Sequence, residues 1–199
     1  SELVVHKLFI EWLKAYFPIN SFYFKITIPF PQTLSNDRVN DIASFLNLSH
    51  NQIKINKYEW ARRTGFIYRT CLDSALLVDF LLAIKGKIKQ ICLLDKNLAA
   101  AYIRGMFIGE GTAYFNRSRY VRIEMKNEEE IKYLHQLFQL LDYQCEPSLR
   151  TNRINMWSIY IGAKQLEKFA NEIGFGIHEK RQKILEQGVN KVLKVNQYC

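Results

Sequence analysis

Cysteine is scarce in this chain, and none of it is arranged to bind metal. Only four of the 199 residues are cysteine, and Cys71, Cys92, Cys145 and Cys199 are widely separated. The sequence has no C-x-x-C pair and no histidine at the spacing of a zinc site. These absences argue against a zinc-binding module, and we expect reduced thiols that are mostly buried.

Long apolar runs and a secretory leader are also lacking. No segment reaches the roughly 18 consecutive apolar residues that a membrane-spanning helix requires. No basic segment precedes a short apolar stretch at the N-terminus, as in a signal peptide. We therefore expect a soluble, intracellular protein of the cytoplasm, an organelle or the nucleoid, with no membrane partner.

Several catalytic motifs are missing as well. The sequence contains no P-loop, no G-x-G-x-x-G segment and no serine nucleophile elbow. Its four histidines are scattered, and we interpret each as a surface or capping residue rather than a metal ligand. Nucleotide hydrolysis and acyl transfer are therefore disfavoured.

Acidic residues are fewer than basic ones, and this imbalance points to a class of partner. There are 19 Asp and Glu residues against 28 Lys and Arg residues, which gives a formal net charge of +9. A globular core is assured, because 48% of the residues are hydrophobic. A strongly basic globular protein favours polyanionic partners, and nucleic acid is the leading one.

The stretch from Leu98 to Phe115 is the most informative part of the chain. An apolar helical pattern runs to Ile108, and Gly105 and Gly109 lie on one helix face, where a second helix can approach closely. Glu110 follows. On one interpretation the glycines only permit packing, and Glu110 is solvated beside a capping Gly111. On the other, the helix pair delivers Glu110 to a cleft, where it binds a divalent cation.

Hydrophobic periodicity outlines the other elements of an α+β protein. It predicts helices over 3–17, 37–48, 74–84, 127–141, 166–173 and 178–187, with Asn36 and Asp37 as caps of the second and Asn127 as cap of the fourth. It predicts strands over 22–28, 53–59, 65–71, 116–126, 144–150 and 154–161. The second and third strands are expected to form a hairpin with Arg62 and Arg63 at its tip, and a basic segment, 85–89, follows the helix over 74–84.

The two halves of the chain have a similar order of elements. At an offset of 98 residues, 8–17 align with 106–115, so that Trp12 stands opposite Glu110. A shared element order across both halves indicates an internal duplication. We predict two domains, 1–94 and 95–199, related by a pseudo-twofold axis in a monomer.

The segment Ile103–Gly111, Ile-Arg-Gly-Met-Phe-Ile-Gly-Glu-Gly, resembles the nine-residue motif of the LAGLIDADG homing endonucleases and maturases. The resemblance implies two αββαββα half-domains with their motif helices packed at the centre. It further implies two antiparallel four-stranded sheets, which form a saddle over the DNA major groove. A magnesium or other divalent-cation site is implied at the bottom of the motif helices, with one acid from each half.

Carried over by position, Glu110 is the catalytic, metal-binding acid of the second half, and Gly105 and Gly109 are its close-contact glycines. The first half has Trp12 at the acid position, and Trp12 is expected to take part with the two glycines in packing of the motif helices. Glu11 is no ready substitute, because one residue turns a helical side chain by about 100°. Lys180 and Lys85 are candidates for positive charge near the scissile phosphate.

Basic residues on the predicted strands and hairpin tips form the expected nucleic-acid surface. They are Lys25, Lys54, Lys57, Arg62, Arg63, Arg69, Arg117, Arg119, Arg122, Lys126, Arg150 and Arg153. Tyr23, Tyr58, Tyr68 and Tyr120 are weaker candidates, since tyrosine on a half-buried strand is more often structural.

Two functions are compatible with these features. The first is a site-specific, magnesium-dependent endonuclease that cuts or nicks double-stranded DNA. The second is a derivative that binds nucleic acid without cleaving it: an RNA-splicing maturase that takes structured RNA, a transcription regulator or an assembly component.

Overall fold

A computed structural model of the chain describes residues 2–17, 22–58, 65–116 and 118–196, with the side chains of 2, 58 and 191–196 left aside. The chain divides into two compact units, Ser1–Leu81 and Leu82–Cys199, which we describe separately. The division falls inside a helix, whereas the predicted domain boundary at residue 94 follows that helix.

The first unit has the element order α-β-α-β-β-α. Its elements are α1 (Glu2–Tyr16), β1 (Phe22–Pro29), α2 (Asn36–Leu46), β2 (Ile53–Tyr58), β3 (Ile67–Leu72) and the start of α3 (Ala75–Cys92). Helix α2 begins one residue earlier than predicted, because the Ser35 side chain accepts a hydrogen bond from the Arg38 backbone N–H at 3.3 Å. It ends at Asn47, whose φ of 52° is the left-handed conformation that asparagine tolerates.

The sheet of the first unit differs from the expected one. Its strand order is β2-β1-β3, with β2 parallel to β1 and β3 antiparallel to β1. The predicted hairpin between β2 and β3 is therefore wrong, and three strands rather than four are present among the described residues. The reason is that β1 is the most buried strand: Phe24 and Ile26 are inaccessible, so both neighbours pair with β1 instead of with each other.

Helix α3 is longer than the sequence indicated. The basic segment 85–89, predicted to follow the helix, continues it to Cys92, and Gly86 is accommodated in its interior. Gly in a helix is tolerated at a cost of about 1 kcal/mol, which neighbouring residues can offset. Lys85 and Lys89 therefore project from a regular helix.

The second unit contains a complete antiparallel sheet. Its elements are α4 (Lys96–Glu110), β4 (Gly111–Phe115), β5 (Arg119–Met125), α5 (Glu128–Leu140), β6 (Ser148–Leu149), β7 (Trp157–Gly162), α6 (Leu166–Glu172) and α7 (Glu179–Asn196). The strand order is β4-β5-β7-β6. The predicted hairpin of the last two strands is confirmed, although its first strand is short, and α7 extends beyond the predicted end at residue 187.

Strand β4 is the element that the sequence prediction missed. The strand expected over 116–126 corresponds to β5, and β4 precedes it and pairs with it as a hairpin, since the chain passes from α4 into β4 without a loop. Along β5, Val121 and Ile123 are fully buried, as their alternation predicted. Asn127 caps α5, as expected, by accepting a hydrogen bond from the Glu130 backbone N–H at 3.1 Å.

One face of this sheet is covered by the hydrophobic core. Phe107 of α4 is its centre, with ring centroids 4.9 Å from Phe169, 5.9 Å from Phe175 and 6.1 Å from Phe138. Ile159 of β7 belongs to the same core. The opposite face of the sheet carries the polar and aromatic residues described below.

Candidate nucleic-acid interface and acidic site

Glu110 is the last residue of α4 and is exposed. Gly111 begins β4 immediately after it. A Cβ atom at Gly111 would lie 2.6 Å from the carbonyl oxygen and from Cδ1 of Phe107, so only glycine allows this direct passage from helix to strand. No hydrogen bond or ion pair joins the Glu110 carboxylate to another residue in the described part of the chain. Gly111 thus fixes where the acid emerges.

Arg181 of α7 lies at the same end of α4. Its Nη1 donates hydrogen bonds to the carbonyl oxygens of Phe107, at 3.1 Å, and Ile108, at 2.8 Å. A cation at a helix C-terminus is favourable because the last carbonyls are unpaired and carry partial negative charge. Arg104 similarly donates to the carbonyl oxygens of Glu172 and Ile173. The two arginines fix the end of α4 that bears Glu110.

Sequence reasoning selected Lys180 and missed its neighbour Arg181. Lys180 is exposed near the start of α7. Lys85 lies elsewhere: its Nζ is 3.8 Å from Oε2 of Glu130. The only sequence signal for Arg181 was the basic run at the beginning of α7, and its partners on α4 are 73 and 74 residues away.

The described residues contain no group of three or more His, Cys, Asp or Glu side chains arranged to hold a metal ion. Glu110 by itself is a single carboxylate ligand. This fits an ion such as Mg²⁺, which protein sites commonly hold through one or two carboxylates, with water and substrate phosphates as the remaining ligands. One carboxylate does not provide enough ligands for the second unit to hold a cation alone.

The glycine face of α4 is open within the second unit. Cβ atoms placed on Gly105 and Gly109 would meet no described heavy atom within 4 Å. On α1, the Trp12 ring packs against its own helix and the residue that follows it, with centroids 5.8 Å from Phe9 and 5.1 Å from Phe17. The packing role expected for the two glycines and Trp12 stays a prediction.

A row of cations crosses the outer face of the first sheet. Lys25 of β1 pairs in register with Lys54 of β2 on one side and Arg69 of β3 on the other. Lys54 Nζ also lies 3.6 Å from the centroid of the Tyr23 ring, a cation–π contact. The structure thus brings three of the predicted residues together.

Other predicted residues of the first unit lie elsewhere. Lys57 pairs with Ile28, so strand alternation places it on the face opposite Lys25. Tyr68 packs against the core residue Phe24 with centroids 5.9 Å apart and does not belong to the outer face. Arg62 and Arg63 lie outside the described residues.

On the second sheet, three arginines converge on one carboxylate. Glu124 Oε1 lies 3.1 Å from Arg122 Nε and 3.0 Å from Arg150 Nη1, and its Oε2 lies 3.1 Å from Arg153 Nη1. We call these four residues the arginine cluster. Sequence reasoning predicted the arginines, but it missed Glu124, because Arg150 and Arg153 come from the hairpin of β6 and β7.

Two further predicted residues flank this surface. Lys126 is exposed just after β5. Arg119 has the alternation phase of Val121 and Ile123, so it begins β5 on the buried side of the sheet and not with the cluster. Arg117 lies outside the described residues.

Beside the arginine cluster, three tyrosines form a ring column across three strands. The centroids of Tyr114 and Tyr120 are 5.0 Å apart with nearly parallel planes, and those of Tyr120 and Tyr160 are 4.6 Å apart. The Arg122 guanidinium carbon lies 5.6 Å from the Tyr120 centroid. Only Tyr120 was a sequence candidate, because the pairing of β4, β5 and β7 creates the column.

A buried polar group holds α3 and α5 to α4. Glu130 is only 6% exposed and accepts hydrogen bonds from Tyr102 Oη at 2.6 Å and Lys89 Nζ at 2.7 Å. Burial opposes ionisation of Glu130, but the bonds from Lys89 and Tyr102 outweigh it, so the pKa lies below its ordinary value. Burial and the Glu130 charge together raise the pKa of Tyr102.

The fold and site define a class of protein: an α+β domain with a basic, aromatic sheet face and an acid at the end of its central helix. Residues 97–174, from α4 through α6, match the family model of the LAGLIDADG-like domain. The chain therefore carries a LAGLIDADG-like domain, as the resemblance of its motif indicated. Members of this family are usually nucleases and generally bind DNA.

The match leaves residues 1–96 outside it, so a second, related repeat there stays a prediction. No curated protein and no solved structure matches the chain. Among the described residues, no helix is long and apolar enough to cross a membrane.

Proposed function

We propose that the protein is a site-specific DNA-binding protein of the LAGLIDADG type that nicks duplex DNA in the presence of magnesium or another divalent cation. The observation that carries this proposal is the exposed Glu110 at the end of α4, in the domain that matches the family. An acid at a helix C-terminus is unfavourable beside the partial negative charge of the last carbonyls. A bound cation relieves that repulsion.

Glu110 is the residue that would hold the cation, with water and DNA phosphate oxygens as the other ligands. When bound, such a cation activates a water molecule and stabilises the leaving oxygen of the phosphodiester. Arg181 keeps the end of α4 in position through its bonds to Phe107 and Ile108. Lys180, its exposed neighbour, adds positive charge toward the phosphate.

Cleavage of one strand, rather than two, follows from the first unit. At the offset of 98, Trp12 aligns with Glu110. When the last residues of α1 and α4 are aligned instead, Tyr16 aligns with Glu110. At every alignment offset from 93 to 98 between the two halves, the residue of the first half that aligns with Glu110 is not acidic. One carboxylate thus serves one scissile phosphate, and we expect a monomer to act on one strand.

A supercoiled plasmid library that carries randomised duplex sites tests this proposal. With Mg²⁺ we expect nicked circles at selected sites, no product with EDTA, and no product with Glu110→Gln. Glu167→Gln is the matched control, because Glu167 is also an exposed carboxylate of the second unit, on α6. Linear product from an isolated site would contradict single-strand cleavage.

The second candidate is a protein that binds duplex DNA or structured RNA without cleavage, as a maturase, regulator or assembly component. It is favoured by Trp12, which stands in place of the acid in the first half. In this case affinity would be indifferent to Glu110→Gln and to EDTA and would fall steeply with salt. A bound site that is never nicked would select this candidate.

A further inference from the structure

We propose that the second half of α3 docks a helix of another protein, and that the apolar stripe of this partner helix is bordered by acidic residues. The docking surface on α3 is the isoleucine stripe, Ile84, Ile88 and Ile91, with Lys85 and Lys87 at its borders. The inference concerns a protein partner, so it does not depend on the proposed action on DNA.

The isoleucine stripe lies beside the face of α3 that packs against the second unit. Lys89 donates a hydrogen bond to the buried Glu130, and Cys92 belongs to the hydrophobic core. Ile88 and Ile91 each precede one of these two α3 residues, and one residue turns a helical side chain by about 100°. The two isoleucines are therefore directed away from the core and are 42% and 51% exposed. Neighbouring aliphatic side chains left in solvent mark an interaction site.

The spacing of the isoleucines is that of a helix pair. Steps of four and three residues separate Ile84, Ile88 and Ile91, and the same alternation of steps continues backwards in the sequence through Leu81 and Leu77. Apolar residues that recur every 3.5 residues on average form the narrow seam of a coiled coil. A helix that lies on a membrane surface has a broader apolar face. A second helix is therefore the occupant that fits the stripe.

The charges around the stripe select the chemistry of that helix. Lys85 and Lys87 border the stripe on opposite sides, since each is three residues from one of its isoleucines. Both lysines are exposed, and no Asp or Glu occurs from residue 80 to residue 94. In helix pairs, residues at these bordering positions form the interhelical ion pairs that determine the choice of partner. Acidic residues on the incoming helix would complement the two lysines.

A second copy of this chain fits the same surface poorly. Two paired α3 helices would bring lysines from both copies to one seam, with no acid from this part of either helix. Like charges across an interface oppose association. The chain as a whole has a formal net charge of +9, which opposes self-association further and favours an acidic partner.

Three designed peptides of equal length test the proposal by fluorescence anisotropy. The first is an acidic heptad peptide with Leu at the seam and Glu at the bordering positions, which keep it from pairing with itself. The second has Lys at the bordering positions, and the third has the composition of the first in scrambled order. We expect the protein to bind the acidic heptad peptide at least about 10-fold more tightly than either of the others.

Two variants on α3 should weaken this binding by different amounts. Ile88→Ala removes a side chain from the seam and should weaken binding of the acidic heptad peptide about 5- to 10-fold. Lys87→Gln should weaken it about 2- to 5-fold. Ile154→Ala and Lys183→Gln are the matched controls, because Ile154 is 87% exposed before β7 and Lys183 is exposed on α7. Neither control should change the affinity.

Other occupants of the stripe give different results, and each would overturn the proposal. Equal binding of the scrambled peptide would show that charge alone attracts the probe. A lower urea midpoint for Ile88→Ala would show that the chain itself covers the stripe. Dimerisation that Ile88→Ala abolishes, measured by analytical ultracentrifugation, would assign the stripe to a second copy. Binding to vesicles of phosphatidylcholine and phosphatidylserine in place of the peptide would assign it to a membrane.

Discussion

Helices α1 and α4 differ in what they expose. Helix α4 exposes Gly105, Gly109 and the carboxylate of Glu110, whereas α1 exposes the aromatic rings of Phe9 and Trp12. Helix α1 contains no glycine, and its exposed acid Glu11 lies inside the helix rather than at its end. The proposed cation site therefore draws its protein ligand from the second unit.

The pattern of burial refines the alignment of these helices. At the offset of 98, Phe9, which is 43% exposed, stands opposite Phe107, which is inaccessible. An offset of 97 instead aligns Phe107 with Ile10, a buried residue, and puts Leu13 at the acid position. Sequence identity therefore favours an offset of 98, whereas the pattern of burial favours an offset of 97. Neither register supplies an acid, so the difference between the units does not depend on the alignment.

The outer faces of the two sheets differ in a related way. Lys54, Lys25 and Arg69 form one row across the first sheet, while Glu124 gathers the arginines of the second beside tyrosines. A row of long cationic side chains suits the regularly spaced phosphates of a nucleic acid backbone. A mixed aromatic and guanidinium surface suits bases as well as phosphates.

The largest effect is expected from the buried charge of the second unit. Glu130 is the only charged side chain that is buried in the described part of the chain. Glu130→Gln leaves Lys89 without its charge partner and should lower the free energy of unfolding by about 3 kcal/mol at neutral pH. Urea unfolding monitored by circular dichroism would measure it.

The effect of Glu130→Gln should depend on pH in a defined direction. The folded pKa of Glu130 is lowered, so its contribution is complete above the unfolded pKa of about 4.3 and is lost as pH falls through the folded pKa. Wild type and variant should converge in acid. Glu129→Gln is the matched control, since the Glu129 side chain is exposed and 3.8 Å from Lys132. Equal destabilisation by both variants would contradict the role of burial.

Local sequence signals predict much of the secondary structure of the second unit, but they do not predict the contacts of its candidate functional residues. Asn127 and the alternation along β5 predicted the α5 cap and the buried face of the strand. Strand β4 was missed because Gly111 lets an apolar helix continue as an apolar strand without a polar loop. Glu130 is the third residue after the capping Asn127, a position where an acid is usually exposed. Its partners Lys89 and Tyr102 lie 41 and 28 residues away in the sequence.

The strand order of the first unit was harder to predict, because it too depends on contacts between residues that are far apart in the sequence. Three strands with half-buried faces can pair in more than one order, and the choice depends on which strand is central in the folded core. The burial of Phe24 and Ile26 in β1 settles that order, but it is a property of the whole unit. The position of Lys57 has a separate cause: it is three residues from Lys54 on the same strand, so alternation places the two on opposite faces in any strand order.

A smaller effect is expected from the cation row of the first sheet. If Lys54 and Arg69 contact phosphates, Lys54→Gln and Arg69→Gln should each weaken binding to all duplex sequences alike. Each should also reduce the slope of log affinity against log salt by about 1. Anisotropy titrations at several salt concentrations would measure this, with Lys57→Gln as a control on the other face. An unchanged slope in the row variants would show that the first sheet is not a phosphate-binding surface.

The smallest effect, and the one whose sign is most informative, is that of Gly105→Ala. A methyl group at Gly105 meets no described atom within 4 Å, and alanine is a better helix former than glycine by about 1 kcal/mol. We expect the variant to be more stable by up to about that amount in urea unfolding. Gly111→Ala is the opposite case, since its Cβ would lie 2.6 Å from Phe107 atoms and should destabilise the protein. Destabilisation by Gly105→Ala would instead mean that a second helix closes on α4, as its Gly-x-x-x-Gly spacing predicted.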